Sequence, residues 1–132
     1  MKYKAGYKYQ LAQTEVIYIG IIPDSEIKTE YIELDDEGYL TVLKGYCWDG
    51  ASGLAVDTDT FMQASLVHDA LYQLIREGEL DMGYKGDADM AMYDLCIKNG
   101  MNAFRAWYCY EAVKRFGDYS VDPKNKRPTL VC

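Results

Sequence analysis

The chain has 132 residues, of which 49% are apolar and 14% aromatic, and its formal net charge is −7. This length fits one compact domain with its own core, and the apolar content argues against disorder. The acidic balance argues against a sequence-independent nucleic-acid binder and against a polybasic membrane anchor. No run of about 18 apolar residues is present, so no membrane span is expected. The opening MKYKAGYKYQ has no apolar segment, so a signal peptide is not expected either.

The first 44 residues read as β structure. Tyr7–Leu11 suggests an early strand, and the β-branched run 16–22 a second, ended by Pro23-Asp24. Ile27–Leu34 reads as one further strand. Asp35-Asp36-Glu37-Gly38 is a turn, and Tyr39–Leu43 completes a hairpin. Residues 45–59, with Gly45, Trp48, Asp49, Gly50 and Ser52, lose periodicity and read as a loop. From Thr60 the pattern is helical, with Thr58, Asp59 or Thr60 as cap. Phe61, Ala64, Ser65, His68, Leu71, Tyr72 and Ile75 form one stripe, and Leu66, Val67 and Leu74 make the other side apolar too. A second helix is predicted from an Asp87 cap to Asn99-Gly100. A third spans about 102–116, with Phe104, Trp107, Tyr108, Val113 and Phe116 as its core face and a stop at Gly117. Residues 118–132 form a solvated tail. The expectation is a single α+β domain: an N-terminal antiparallel β-sheet packed on a three-helix core.

No Cys-x-x-Cys pair occurs, and reduced thiols are the default expectation. Cys96 and Cys109 fall on neighbouring predicted helices and are the pair placed to bridge. Met82, Met90, Met92 and Met101 read as packing residues.

Charge is unevenly placed. Residues 49–94 carry eight Asp and two Glu against Arg76 and Lys85, a net −8 that leaves the remainder nearly neutral. This segment holds the single histidine, His68, followed by Asp69. An imidazole facing a cleft beside a carboxylate-bound cation suits metal-assisted hydrolysis, in which the imidazole takes a proton from water and the metal polarises a carbonyl. A further carboxylate would orient the imidazole through its other nitrogen, and Asp89 and Asp94 are the candidates. Loop 48–53 would give backbone carbonyls to a hard cation such as Ca²⁺. If the two helices form a tight hairpin, Asp89 stands about 10 Å from His68 along the axis at 1.5 Å per residue. Asp94 matches His68 in height; Asp89 requires the connecting loop to run back along the first helix.

The strings Asp49-Gly50-Ala51-Ser52, His68-Asp69-Ala70-Leu71-Tyr72 and Ala88-Asp89 together resemble a family of phage and prophage proteins of unassigned function. That resemblance implies a host cytoplasm or a virion as the location. The same residues, with Trp107 to Gly117, also resemble the core of bacterial and fungal phospholipase A2. This second resemblance implies calcium-dependent hydrolysis of a lipid ester. His68 would be the general base, Asp89 its orienting carboxylate and Tyr72 a buttress of that carboxylate. Asp69 would be a calcium ligand, joined by Asp49 and by carbonyls near Trp48 and Gly50. The alternative is a non-enzymatic phage protein, a virion component or a factor binding a host protein, that keeps the fold without the reaction. A strand of the N-terminal region could then add to a partner's sheet. A third reading makes His68, Asp69 and Asp89 a purely structural hydrogen-bond network.

Overall fold

The computed structural model describes residues 1, 3–4, 9–48, 59–117 and 121–122. The fold is α+β, with two antiparallel sheets and three main helices. The described residues fall in two compact units, a β unit within Met1–Asp49 and a helical unit within Gly50–Arg127.

In the β unit, β1 (Tyr3–Lys4), β2 (Tyr9–Leu11) and β7 (Cys47–Trp48) form one sheet in the order β1-β2-β7. The other sheet holds β3 (Glu15–Tyr18), β4 (Ile27–Lys28), β5 (Ile32–Leu34) and β6 (Tyr39–Val42) in the order β3-β6-β5-β4. Alternation sets its inner face: Ile17, Ile27, Ile32, Leu34, Leu40 and Val42 are buried, while Val16, Tyr18 and Tyr39 are exposed. The Asp35–Gly38 turn forms as expected. The Asp35 carboxylate accepts from the Glu37 and Tyr39 amides, at 2.9 Å each, and Gly38 takes φ +93°.

Two strand expectations are corrected. Ile27–Leu34 is not one strand but a hairpin, in which Ile27 pairs with Leu34 and Lys28 with Glu33. Thr29 makes the reversal, because its hydroxyl donates to the Ile32 carbonyl and accepts from the Ile32 amide, satisfying backbone groups that a straight strand would pair elsewhere. Cys47 and Trp48, read as loop, form β7 against β2; the Trp48 ring is buried 5.7 Å from that of Tyr9. Cys47 is disulfide-bonded, which departs from the expectation of reduced thiols.

The helical unit holds α1 (Asp59–Arg76), a 3₁₀ turn (Met82–Tyr84), α2 (Lys85–Lys98) and α3 (Ala103–Phe116). Every residue of the predicted α1 stripe is buried, and so are Leu66, Val67 and Leu74. Helix α2 starts two residues before Asp87, which lies in its first turn rather than at its cap. The chain reverses earlier because the Asp81 carboxylate accepts from the Gly83 amide at 2.9 Å and nucleates the 3₁₀ turn. Helix α2 ends at Asn99-Gly100 as expected, with Gly100 at φ +92°. Asn102 caps α3 by accepting from the Phe104 and Arg105 amides.

The face assigned to α3 is corrected. Phe104 is 73% exposed, Trp107 51% and Tyr108 55%. Among the described side chains of α3 the buried ones are Ala106, Cys109 and Val113, of which Val113 belongs to the expected face; the side chain of Phe116 lies outside the described residues. Among the methionines, Met92 and Met101 are buried as expected, whereas Met82 and Met90 are exposed. Cys96 and Cys109 are free and buried rather than bridged. Each fills space as a small apolar group, and burial pushes the Cys96 thiol up to about 12. Among the described residues no helix is long and apolar enough to cross a membrane.

Candidate active site

Helix α1 carries His68 and Tyr72 one turn apart on a single face, and α2 carries Lys85 and Asp89 one turn apart on the face that meets it. Ala64, on the His68 face of α1, and Ala88 and Ala91 on α2 are small and fully or nearly buried. A hydrogen bond from Asn99 to Gln63, at 3.0 Å, fixes the antiparallel register at the far end.

That register decides between the two candidate carboxylates. It places Asp94 level with His68, but Asp94 lies off the buried stripe of Ala88, Asp89, Ala91, Met92, Leu95 and Cys96 and is exposed. Asp89 is on the stripe, and the axial gap is closed as the sequence required. After α1 the chain runs back along the helix, where the Glu79 and Leu80 amides both donate to the Leu74 carbonyl, at 2.9 and 3.1 Å. His68 Nε2 then lies 2.9 Å from Asp89 Oδ1.

Asp89 is 1% exposed, and the side chains of His68, Tyr72 and Lys85 hydrogen-bond to its carboxylate. The Tyr72 hydroxyl donates to Oδ1 at 2.5 Å and the Lys85 ammonium to Oδ2 at 3.0 Å. Burial pushes the Asp89 carboxyl up, but hydrogen bonds from His68, Tyr72 and Lys85, with the charge of His68, outweigh it and hold the group below the ordinary carboxylate value. In the tautomer whose proton is on Nε2, an ionised Asp89 accepts that proton and Nδ1 is the nitrogen with a free lone pair. His68 itself is 7% exposed, and its ring lies 3.9 Å from that of Tyr72.

Two residues of this cluster carry no site signal in the sequence reading. Lys85 counts there only as a charge, although its four-residue spacing from Asp89 is the legible sign of an ion pair on one helix. It also donates to the Val113 and Lys114 carbonyls, at 3.3 Å each, so one ammonium joins Asp89 to the carboxyl-terminal end of α3. Gly117 reads only as a helix stop. A Cβ there would fall against the Tyr72 hydroxyl, far inside van der Waals contact, and 2.5 Å from the Val113 carbonyl oxygen. The absent side chain is what lets the Tyr72 hydroxyl occupy its place beside Asp89.

Of the expected metal ligands, Asp69 and Trp48 fall among the described residues. Asp69 is half-buried on α1, next to His68. Asp49 and Gly50 lie outside the described residues, and Trp48 belongs to the β unit, where it serves as strand and core. Among the described residues no group of three or more His, Cys, Asp or Glu side chains is arranged to hold a metal ion. Asp69 offers oxygen donors of the kind calcium takes, but one carboxylate falls well short of the roughly six to eight oxygens of a calcium shell. Comparisons with protein-family models, curated proteins and solved structures find no match to this chain.

Proposed function

We propose that the helical unit is a hydrolase of the phospholipase A2 kind, acting on lipid esters with His68 as general base. The observation that carries this reading is the buried contact of His68 Nε2 with an Asp89 whose two oxygens are both held by further donors. A fixed, ionised carboxylate on one ring nitrogen selects the tautomer in which the other accepts a proton. In the reaction, Nδ1 takes a proton from water as the water oxygen bonds to the ester carbonyl carbon. When the tetrahedral intermediate collapses, the carbon–oxygen bond to the alcohol breaks and the imidazolium returns the proton to the leaving oxygen. Asp89 stays ionised throughout and stabilises the imidazolium. Tyr72 and Lys85 keep Asp89 from turning. Calcium at Asp69 is the proposed metal, and its chemistry there would be polarisation of the ester carbonyl.

The test is hydrolysis of phospholipid vesicles in calcium. His68→Ala is expected to lower the rate by about 10²–10⁴-fold, the usual contribution of a positioned base, with the circular-dichroism spectrum retained. Equal hydrolysis by both proteins overturns the reading.

One observation favours a second reading. Lys85 ties Asp89 to the end of α3 by way of the Val113 and Lys114 carbonyls, as a network whose task is to fasten three helices together would do. The chain would then be a non-enzymatic phage protein, of the virion or of host interaction. In that case the unmodified protein hydrolyses no ester, and His68→Ala lowers the melting temperature severely.

A further inference from the structure

The four-stranded sheet has two edges, and they are built differently. The β4 edge is two residues long, and its Lys28 pairs with Glu26 at 3.5 Å, both side chains well exposed. Short length and charge are the ordinary means by which an edge strand avoids pairing with another chain. The β3 edge is longer, and its one charge, Glu15, stands at its first residue. It is four residues long, reads Glu15-Val16-Ile17-Tyr18, and among the described residues no strand pairs with its outer side.

The register shows which backbone groups face outward. Tyr18 stands opposite Tyr39 and Ile17 opposite Leu40. The Tyr39 carbonyl accepts from Asp35, on the β5 side, so Tyr39 is not bonded towards β3. One residue further along β3, the Ile19 amide donates to Gly38. The inward groups of β3 are therefore those of Glu15 and Ile17, and the N–H and C=O of Val16 and Tyr18 point away from the sheet. The side chains of the same two residues are 63% and 62% exposed. Tyr39 packs beside Tyr18 with ring centroids 5.1 Å apart and extends the apolar surface inward from the edge.

We infer that β3 is a homodimerisation edge that pairs antiparallel with β3 of a second copy, centred on Ile17. The strand is complementary to itself in that register. Val16 stands opposite Tyr18 of the other copy, and Tyr18 opposite Val16, so the outward groups of each chain are satisfied reciprocally by four hydrogen bonds. Ile17 meets Ile17 on the buried face of the sheet. Glu15 meets Ile19, so no like charges oppose each other, which a chain of net charge −7 needs if it is to bind itself. The exposed Val16, Tyr18 and Tyr39 side chains of the two copies then form one continuous apolar strip across the joined sheets.

Light scattering of the full chain, from micromolar to millimolar concentration, tests the oligomer. Amide exchange followed by nuclear magnetic resonance tests the register. The mass is expected to rise with concentration from 15.1 kDa towards twice that value. The Val16 and Tyr18 amides should gain protection in step with it, while the Ile17 amide, already in the ladder, stays protected throughout. Val16→Lys gives β3 the charge that guards β4, and should keep the chain monomeric with an unchanged circular-dichroism spectrum. A monomer at every concentration overturns the inference. A dimer whose Val16 and Tyr18 amides remain unprotected overturns it too, and this measurement on the unmodified chain decides even if Val16→Lys fails to fold.

Discussion

Asp89 concentrates the electrostatics of the helical unit in one buried group. Because three donors hold it below the ordinary carboxylate value, its ionised form favours the folded state. That contribution is fully present above the unfolded carboxyl value of about 4 and is lost as pH falls through the lower folded value. Asp89→Ala leaves Lys85 and His68 facing an empty site and should cost about 3–5 kcal/mol near neutral pH, as when one partner of a buried ion pair is removed. Asp89→Asn keeps the shape, and its melting temperature should fall less steeply below pH ~4 than that of the unmodified protein. Thermal melts across the acid range read both effects; identical pH dependence of the asparagine variant and the parent would contradict the assignment. Gly117 makes a separate prediction. Gly117→Ala drives a methyl group against the Tyr72 hydroxyl and should cost about 1–3 kcal/mol as an overpacking change. Adding Tyr72→Phe removes the nearest obstructing atom, so the double variant should be more stable than the two single losses imply. Urea denaturation of the four proteins measures that coupling, and simple additivity would exclude the contact.

On the scale of elements, α3 shows how helical spacing identifies a stripe without saying which stripe faces inward. Phe104, Trp107 and Tyr108 are at helical spacing, and so are Ala106, Cys109 and Val113; the second set is buried. Of the expected face Val113 alone is among the buried residues, while Phe104, Trp107 and Tyr108 stay exposed and the side chain of Phe116 lies outside the described residues. Trp107→Ser should therefore change stability by no more than about 0.5 kcal/mol, as a surface substitution does, whereas Val113→Ala should cost on the order of 2 kcal/mol. Denaturant midpoints distinguish the two, and a larger loss at Trp107 would reverse the assignment of faces. The thiols give an independent check. Burial pushes Cys96 up to about 12 and raises Cys109 as well, so neither forms thiolate readily at neutral pH. A thiol reagent should label both only when denaturant opens the helical unit, and rapid labelling of the native protein would show that α2 and α3 are not closed against each other.

For the molecule as a whole, the net charge of −7 resolves into parts with different tasks. Of the acidic residues in the −8 segment, Asp81, Asp87, Asp94 and Glu79 are exposed and solvated, and Asp89 is neutralised inside by Lys85. Asp69 is half-buried beside His68 and is the proposed calcium ligand. If calcium binds there it must raise the melting temperature, because a ligand of the native state stabilises that state by mass action. The rise should exceed that given by sodium chloride at equal ionic strength, and Asp69→Asn should remove it. A calcium effect equal in the parent and in Asp69→Asn would assign it to general screening of the acidic surface.

Much of this protein was legible in the sequence because it depends on near neighbours. Helical spacing placed the α1 stripe with His68 and Tyr72 in it, Asn99-Gly100 marked the end of α2, and Asp35 to Gly38 marked a tight turn. Each is decided within a few residues by side-chain direction, capping or local hydrogen bonds. Thr29 is an instructive exception: its signal was local, but a β-rich run concealed the reversal that its hydroxyl makes. The choice of Asp89 over Asp94, the ammonium of Lys85 at the end of α3, the space that Gly117 leaves for Tyr72 and the outward face of α3 depend on residues up to 45 positions apart. Those were decided only when the helices packed, because burial selects among stripes that periodicity leaves equivalent, and a carboxylate meets its donors only where a neighbouring helix brings them.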